Sequence, residues 1–411
     1  MTELTARELL IMLYETALDA VDGRYLVNQW CHAGSNKKSF THCVAIGKAS
    51  AAMLQGALDN FPALKKSLLI CPPSKITRQF KKNKSITSIA SSHPVPDESS
   101  IEAGQALISF LAGIDESDEI LFLISGGSSS LVEIPVDNIS LDQLQQINRY
   151  LLASGKDIHQ INAWRQRFSK IKGGGLLNYI KSTALTQLLL SDVKGDSAEI
   201  IGSGLLVEAT SQAQPDEYLS GFIAQTNQDD DAQSVKSGSS IHVDTFIIGN
   251  NKLAMQAAYE AAKTEGLASF IYDEFIEGDA CQAAERLYKL LKDAEPGIHV
   301  LGGETTVKLP ESPGIGGRNQ TLALAFARLI ADDPDLHLLA AGTDGVDGNS
   351  SCAGAVVSKY TSIKAGKMGF DINAEIEKAN AGLLLMATDD LVNGDNSNTN
   401  VMDIIIVYRT Q

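Results

Sequence analysis

The sequence of 411 residues is poor in cysteine, in basic residues and in long apolar runs. Its five cysteines are scattered, without a CxxC pair, which argues against a disulfide framework and a structural zinc site. No apolar run approaches the ~18 residues that a membrane span needs. Lysine and arginine number 34 against 50 acidic residues, so the net charge is −16. Such a charge disfavours nucleic acid and membrane lipid as partners.

Two nucleotide-binding signatures are also missing. The chain has no GxxxxGK[ST] motif and no complete GxGxxG after an apolar run. The second absence argues against a nicotinamide-dependent dehydrogenase. The N-terminal residues lack the basic and apolar segments of a signal peptide, so the cytoplasm is the expected compartment. They instead place Leu9, Leu10, Leu13, Ala17 and Val21 on one face of a predicted amphipathic helix.

What the chain does contain is a series of short apolar runs that end in Gly, Ser or Asp, with helical stretches between them. Apolar strands that alternate with amphipathic helices are typical of parallel sheets covered on both faces. At roughly 150 residues per domain, the length favours two domains. We therefore predict an α/β fold with mainly parallel, helix-covered sheets and ligand sites beyond the carboxyl ends of the strands. The predicted strands are 42–46, 120–124, 185–190, 245–248, 299–301 and 336–341, and the predicted helices are 101–111, 251–264 and 320–330.

The most polar stretch, 225–240, has few apolar residues and is predicted to be a loop or linker. We accordingly divide the chain into an N-terminal domain, 1–240, and a C-terminal domain, 241–411. We leave open whether a helix or strand crosses this domain boundary, because chain ends often pass from one lobe to the other.

A glycine- and serine-rich segment, Ser-Gly-Gly-Ser-Ser-Ser at 125–130, directly follows a predicted buried strand. Small residues there let backbone N–H groups converge on an anion, and three hydroxyl groups can add donors. The alternative is an ordinary turn between a strand and a loop.

Charged side chains follow two other predicted strands. Asp192 stands where a carboxylate can accept a hydroxyl proton or hold Mg²⁺. Alternatively, Asp192 and Asp196 cap a helix that continues through Ile200, and for Asp196 capping is favoured. Lys48 can neutralise a phosphate, although a lone lysine is more often an exposed one. His93 lies in a predicted rigid turn; ligand binding by its imidazole is the alternative, and a turn role is favoured.

The C-terminal half has a second pair of glycine-rich segments, 302–306 and 314–320. Arg318 precedes a predicted helix and offers a planar fork for phosphate or carboxylate. The alternative is a loop with a solvated arginine. Asp344 and Asp347, in a glycine-rich turn, resemble an oxygen-ligand site, although turn chemistry explains them nearly as well.

Anion-binding loops, cations and carboxylates at strand ends suit phosphoryl transfer, which depends on positioning and charge neutralisation. In their order along nearly the whole chain, the motifs resemble those of the type-2 glycerate kinases, which join an N-terminal glycerate-kinase domain to a C-terminal MOFRL domain. The motifs that carry the resemblance are Ala45–Ala49, Ser92–Glu98, Ser125–Gly127, Leu152–Asn162, Ile171–Gly174, Ser191–Asp196, Gly302–Thr306, Gly316–Gln320, Ala341–Gly348 and Asn398–Asp403.

The resemblance implies ATP-dependent phosphorylation of D-glycerate at its 2-hydroxyl, giving 2-phosphoglycerate and ADP, with Mg²⁺. It also implies a Rossmann-like N-terminal domain and an active site in a cleft between the domains, and a homodimer is one assembly to consider. By motif, the catalytic residues are Lys48, Asp192 and Arg318. The implied substrate- or nucleotide-binding residues are Ser125, Gly126, Gly127, Ser128, Ser129, Gly303, Glu304 and Asn319, and the implied metal ligands are Asp192, Glu304 and Asp344.

The chain departs from the family pattern at several positions. Ser128 replaces a third glycine, Lys194 replaces a proline and Gly175 replaces an arginine, while Leu205 and Leu206 replace Pro-Thr. One cation gained and one lost leave a kinase for another small 2-hydroxy acid as an alternative. A hydroxypyruvate reductase is a further alternative, against which the missing GxGxxG argues. A non-catalytic sensor of glycerate or nucleotide is disfavoured by the three retained catalytic residues.

Overall fold

The computed structural model describes residues 4–33, 38–210, 212–223, 241–394 and 397–411. Within them the chain forms two compact units: a first unit, Gly23–Gly249, and a second unit that combines Met1–Asp22 with Asn250–Gln411. This division differs from the predicted 1–240 and 241–411. The segment up to Asp22 joins the C-terminal residues, and the strand after residue 240 joins the first unit. The predicted linker 225–240 lies outside the described residues.

Strands and helices alternate along most of the chain, and the predicted ones are all present. The strands are β1 (His42–Ile46), β2 (Lys66–Cys71), β3 (Ile86–Ala90), β4 (Ile120–Ser125), β5 (Ala184–Leu190), β6 (His242–Gly249), β7 (Ser269–Asp279), β8 (Gly297–Thr306), β9 (Leu336–Gly342), β10 (Cys352–Ser358), β11 (Leu391–Asn393) and β12 (Asp403–Arg409). The helices are α1 (Ala6–Ala20), α2 (Gly23–His32), α3 (Ser50–Asn60), α4 (Arg78–Lys82), α5 (Glu98–Ala112), α6 (Ser128–Leu131), α7 (Leu141–Ala153), α8 (Ile158–Arg167), α9 (Glu217–Ile223), α10 (Asn251–Thr264), α11 (Ala280–Leu291), α12 (Arg318–Leu329), α13 (Lys359–Lys367), α14 (Ile372–Glu377) and α15 (Ala381–Ala387). No helix in these described ranges is long and apolar enough to cross a bilayer.

The first unit is built on a six-stranded sheet in the order β3-β2-β1-β4-β5-β6, with every neighbouring pair parallel. This arrangement confirms the predicted Rossmann-like unit. The central strands β1 and β4 are buried along their whole length, which explains their continuous apolar sequences. The strand order reverses between β1 and β4, and in such sheets a crevice opens there beyond the carboxyl ends. We call this place the switch point.

The second unit has a six-stranded sheet in the order β11-β10-β9-β12-β8-β7. Its β7–β8 pair is parallel, and its other pairs are antiparallel, so the prediction of a mainly parallel sheet is wrong for this unit. The reason is that a continuous apolar run reports burial of both faces and not strand direction. In β12, Ile405 and Val407 pack in a cluster with α11 and α12. Ile404 and Ile406 alternate with them and are equally buried on the opposite face.

Helix α1 explains why the N-terminal segment belongs to the second unit. It begins with a capping box, in which the Thr5 N–H donates to the Glu8 carboxylate at 2.8 Å and the Glu8 N–H donates to Thr5 Oγ1 at 3.3 Å. The predicted apolar face is confirmed, with Leu10, Leu13 and Ala17 fully buried. The helix packs on α10 and across β12, β9 and β10.

Candidate active site

The predicted site residues fall into two groups, one in each unit. In the first unit, Lys48 follows β1, residues 125–129 follow or end β4, and Asp192 follows β5. These three strands are neighbours in the parallel sheet, with the switch point between β1 and β4. Because neighbouring strands lie about 4.8 Å apart and the carboxyl ends share one edge, the three segments meet at that edge.

Gly47 allows the ends of β1 and β4 to touch. Its φ is +129°, and an added Cβ would lie 2.1 Å from Ser125 Oγ. The Lys48 N–H donates to the Gly126 carbonyl at 2.9 Å, and the Ala49 N–H donates to Ser125 Oγ at 3.0 Å. The fully buried Ser125 hydroxyl therefore joins the two loops to each other.

Lys48 and His93 converge over Gly127. This glycine has φ +82°, and an added Cβ would lie 2.9 Å from His93 Cδ2 and 3.3 Å from Lys48 Cγ. Gly127 is also the N-cap of the short helix α6, which no side chain caps. His93 thus adds an exposed imidazole beside the lysine stem, a placement that the sequence interpretation as a turn residue missed. The motif around His93 was a signal, but its spatial neighbours Gly127 and Lys48 are distant in the chain, Gly127 by 34 residues.

The serine that replaces the family's third glycine is turned away from solvent. Ser128 is fully buried, and an added Cβ at Gly202 would lie 2.3 Å from its Oγ. The next residue, Ser129, pairs its hydroxyl with that of Ser203 at 2.8 Å. Ser128 therefore adds no side chain on the exposed side of the loop.

The turn that receives these serines has an unusual backbone. Gly202, Ser203 and Gly204 all have positive φ, between 59° and 65°. The Ser203 carbonyl accepts from the Gly173 N–H at 3.0 Å, and the Gly204 carbonyl accepts from the Gly174 N–H at 2.7 Å. Such left-handed conformations persist only where the surroundings hold them. The loops after β4 and β5 are therefore fastened to one another.

Asp192 directly follows β5 and is half-buried. The expectation of a helix through Ile200, capped by Asp196, is wrong. Gly195 and Asp196 have φ values of +82° and +54°, which an α-helix does not accommodate. The described segment 192–200 instead runs through turns into a short 3₁₀ segment, Ile201–Ser203.

In the second unit, Arg318 is the first residue of α12 and is engaged at both ends of its guanidinium. Nε and Nη2 donate to the two Asp403 oxygens at 2.7 Å and 2.9 Å. Nη1 lies 2.9 Å from Glu304 Oε1. Asp403 is the first residue of β12 and the last residue of the motif Asn398–Asp403. That motif indicated no role for it, so sequence reasoning missed Asp403 as a partner of Arg318.

Burial shapes the protonation of this pair. It raises the pKa of the Asp403 carboxyl to about 7, although Arg318 acts in the opposite direction and the Glu304 charge adds to the rise. Burial also works to lower the pKa of Arg318, but the carboxylates of Asp403 and Glu304 outweigh it and hold that pKa above its ordinary value. The arginine is therefore a permanent cation with carboxylates already beside it.

The glycine-rich segment before α12 bonds to the protein itself. Asp347 accepts the N–H groups of Asn319 at 3.0 Å and Gln320 at 2.8 Å, so it caps the helix. Burial raises the pKa of Asp347 to about 6 against the effect of these bonds. The Gly316 N–H donates to Asn349 Oδ1 at 2.8 Å. These backbone N–H groups of the segment are therefore already engaged within the protein.

Gly303 has a packing explanation. An added Cβ there would lie 2.5 Å from the Ile276 carbonyl oxygen on the neighbouring strand β7. Gly303 also stands opposite Asp403 in the β8–β12 register. The absence of a side chain thus brings β7 and β8 together beside the Arg318 pair.

Thr343 links the motif around Asp344 to the segment before Asp403. Its N–H and its hydroxyl donate to the Met402 carbonyl at 3.0 Å and 2.6 Å. Its hydroxyl oxygen accepts the Val401 N–H at 2.8 Å. Met402 has φ +68°, a left-handed conformation rare for a long side chain. The clamp therefore holds a strained residue directly before the carboxylate that binds Arg318.

The candidate metal ligands do not form a ready-made cage. Over the described ranges, no group of three or more His, Cys, Asp or Glu side chains is arranged to hold a metal ion. Mg²⁺ is usually bound by one or two carboxylates together with substrate phosphates. Asp192 and Asp344, both half-buried in loops beyond strand ends, fit that mode as single carboxylates.

The fold and these residues define a class of protein: a Rossmann-like unit with polar loops at its switch point, on one chain with a mixed α/β unit that carries an arginine–carboxylate cluster. Residues 9–220 match a family described as "Domain of unknown function (DUF4147)", and residues 297–403 match the MOFRL family. The chain belongs to the family that joins these two domains, that of the glycerate 2-kinases. The resemblance stated from the motifs is thereby confirmed.

Individual relatives cover nearly the whole chain. Glycerate 2-kinase from Pyrococcus horikoshii is 30% identical over 403 residues, with 91% of this chain and 88% of the relative covered. The crystal structure of glycerate kinase from Thermotoga maritima matches with a TM-score of 0.82 at 27% identity, covering 98% of this chain and 99% of that chain. A relative from Agrobacterium vitis, 30% identical with 98% and 94% covered, bears the provisional name hydroxypyruvate reductase.

Proposed function

We propose that this protein transfers the γ-phosphoryl group of ATP to the 2-hydroxyl of D-glycerate, giving 2-phosphoglycerate and ADP. The observation that carries the proposal is the contact of Lys48 with the loop at Gly126 and Gly127 beside the switch point of a parallel sheet, with Asp192 two residues beyond the end of the neighbouring strand β5. The glycerate kinase names of the relatives support the choice of substrate.

The proposed roles follow from the chemistry of each side chain. Lys48, beside Gly127, neutralises the transferring phosphoryl group or the glycerate carboxylate. Arg318, in the second unit, is a cation suited to bind a phosphate or carboxylate group. Asp192 orients the 2-hydroxyl and accepts its proton as that oxygen bonds to the γ-phosphorus. The bond from the γ-phosphorus to the bridging oxygen breaks, and ADP leaves with the electron pair.

The loop at residues 125–129 is proposed to receive a phosphate or carboxylate through backbone N–H groups. Its serine hydroxyls at 125 and 129 bond to Ala49 and Ser203, which leaves the backbone as the donor. Mg²⁺ carried by the ATP phosphates would supply further charge neutralisation, with Asp192 or Asp344 as its protein ligand. Location in the cytoplasm and a homodimer stay predictions from the sequence.

The test is release of ADP from Mg-ATP with and without D-glycerate, with phosphorus NMR to identify the product. We expect glycerate-dependent ADP and a 2-phosphoglycerate signal. Lys48→Ala and Asp192→Asn should each lower kcat at least about 100-fold. The matched variants Lys84→Ala and Asp142→Asn remove the same charges from exposed positions and should stay near wild type.

Three results would count against the proposal. ADP release that does not depend on D-glycerate, but appears with another 2-hydroxy acid, would assign a different acceptor. Oxidation of NADH with hydroxypyruvate would favour the reductase alternative. Full turnover by folded Asp192→Asn would remove Asp192 from the reacting groups.

A further inference from the structure

One end of the Arg318 guanidinium is rigidly held. The bidentate pair with Asp403 uses Nε and Nη2, and the Asp403 side chain is only 3% exposed. The residues opposite Asp403 in β8 and β9 are Gly303 and Gly342, which carry no side chains. A buried fork-to-fork pair of this kind fixes the plane of the guanidinium.

The other end of the guanidinium is held far less firmly. Within the part of the chain that the structure describes, Nη1 pairs with Glu304 Oε1 at 2.9 Å, and the Glu304 side chain is 43% exposed. Exposed ion pairs contribute little to stability, because water and salt screen them. Asp403 is thus the fixed partner of Arg318, and Glu304 is the exchangeable one.

An incoming phosphate or carboxylate group must compete with Glu304. Nη1 is the nitrogen that faces Glu304, and an anion near it meets the like charge of that carboxylate. Phosphate and carboxylate are the groups that a guanidinium binds best, and both occur in the proposed reaction. Because the exposed pair with Glu304 is weak, such an anion can displace it.

We propose that Glu304 is a displaceable counter-ion of Arg318, and that it sets how tightly this arginine takes a phosphate or carboxylate group. The inference rests on the proposed function, which supplies the identity of the anions. The exchange of Glu304 for an anion does not depend on that function. The inference assigns Glu304 a specificity role in place of the metal-ligand role implied by the family resemblance.

The decisive variant is Glu304→Gln, which keeps the shape of the side chain and removes its charge. Binding to wild type and variant is measured by isothermal titration without Mg²⁺, using tripolyphosphate, ATP and D-glycerate as separate probes. We expect one or more probes to bind roughly two- to fivefold more tightly to the variant, with the gain shrinking at high salt. A gain with ATP and tripolyphosphate assigns the site to phosphate, whereas a gain with D-glycerate alone assigns it to carboxylate.

Two further variants guard the interpretation. Glu285→Gln removes an equal charge from an exposed position on α11 and should leave binding unchanged. Glu304→Ala removes the charge and the hydrogen-bond acceptor, and it should tighten binding in the same direction as Glu304→Gln. Equal melting temperatures would verify that each variant is folded.

Unchanged or weaker binding of all three probes by both folded Glu304 variants overturns the inference. The product assay on wild type separates this failure from failure of the proposed function. A wild type that makes 2-phosphoglycerate, with variants that bind no more tightly, leaves the function standing and removes the counter-ion role. A wild type that makes no 2-phosphoglycerate, with variants that bind tripolyphosphate more tightly, leaves the counter-ion role standing and removes the function.

Discussion

Ser128 and Gly202 share one small space between the loops after β4 and β5. An added Cβ at Gly202 would lie 2.3 Å from Ser128 Oγ, 3.2 Å from Ile124 Cγ2 and 3.5 Å from Ser128 Cβ, so the hydroxyl creates the main conflict. Gly202→Ala should therefore lower the free energy of unfolding by roughly 2–4 kcal/mol, from crowding and from its positive φ. Ser128→Ala should be nearly neutral alone, since the buried Ser128 hydroxyl has no hydrogen-bond partner in the described chain.

The double variant measures the energetic coupling between positions 128 and 202. Ser128→Ala combined with Gly202→Ala should recover about 1–3 kcal/mol of the loss, while the strain of alanine at positive φ remains. Urea unfolding of the four proteins measures the coupling. Strictly additive effects would contradict the described contact.

At the scale of single residues, the motifs predicted roles for Lys48, Asp192 and Arg318 but said nothing of the groups around them. Arg318 and Asp403 are 85 positions apart, and Ser129 and Ser203 are 74 apart. Periodicity and local spacing report on near neighbours in the chain, so partners brought together by the fold are invisible to them. The hydroxyls of Ser125, Ser129 and Ser130 bond within the protein, and that of Ser128 is buried, which only the packed loops reveal.

At the scale of elements, the clamp at Thr343 joins the loop after β9 to the start of β12. Thr343 is fully buried, and its hydroxyl bonds to the backbone at Val401 and Met402. Thr343→Val keeps the shape but removes the acceptor of the Val401 N–H, while the Met402 carbonyl keeps the Thr343 N–H, so we expect a loss of roughly 1–3 kcal/mol in the free energy of unfolding in urea. Thr264→Val is the control, because that hydroxyl bonds one exposed helix carbonyl. Equal losses in the two variants would show that the clamp contributes nothing beyond an ordinary exposed bond.

The predicted strands and helices were recognisable because each of those apolar runs ends in Gly, Ser or Asp and each of those helices has its own periodicity. The direction of the strands in the second sheet was not predictable, because β9, β10 and β12 are as apolar as parallel strands. The turns after β5 also differ from the expected helix. Asp196 and Ser203 both have positive φ, and the Ser203 carbonyl is bonded by the Gly173 N–H of a neighbouring loop, which local helix signals do not report.

At the scale of the whole molecule, the chain crosses twice between units, so chain position and unit do not coincide. Leu13 of α1 is fully buried in the second unit, and Leu107 of α5 is fully buried in the core of the first. Changing either leucine to alanine should lower the free energy of unfolding by about 2–5 kcal/mol. The two substitutions should destabilise different parts of the protein. Hydrogen exchange should lose protection within Asn250–Gln411 for Leu13→Ala and within Gly23–Gly249 for Leu107→Ala.

Hydrogen exchange on the full chain decides between this assignment and a simple N-to-C division. Deprotection of β1, β4 and β5 by Leu13→Ala, with β12 unchanged, would place α1 energetically with the first unit. Leu4→Ala, at a position 48% exposed just before α1, serves as the control and should leave both units protected. If α1 completes the second unit, Leu13→Ala should cause a selective loss of hydrogen-exchange protection in β8, β9 and β12, because the buried face of the helix covers that sheet.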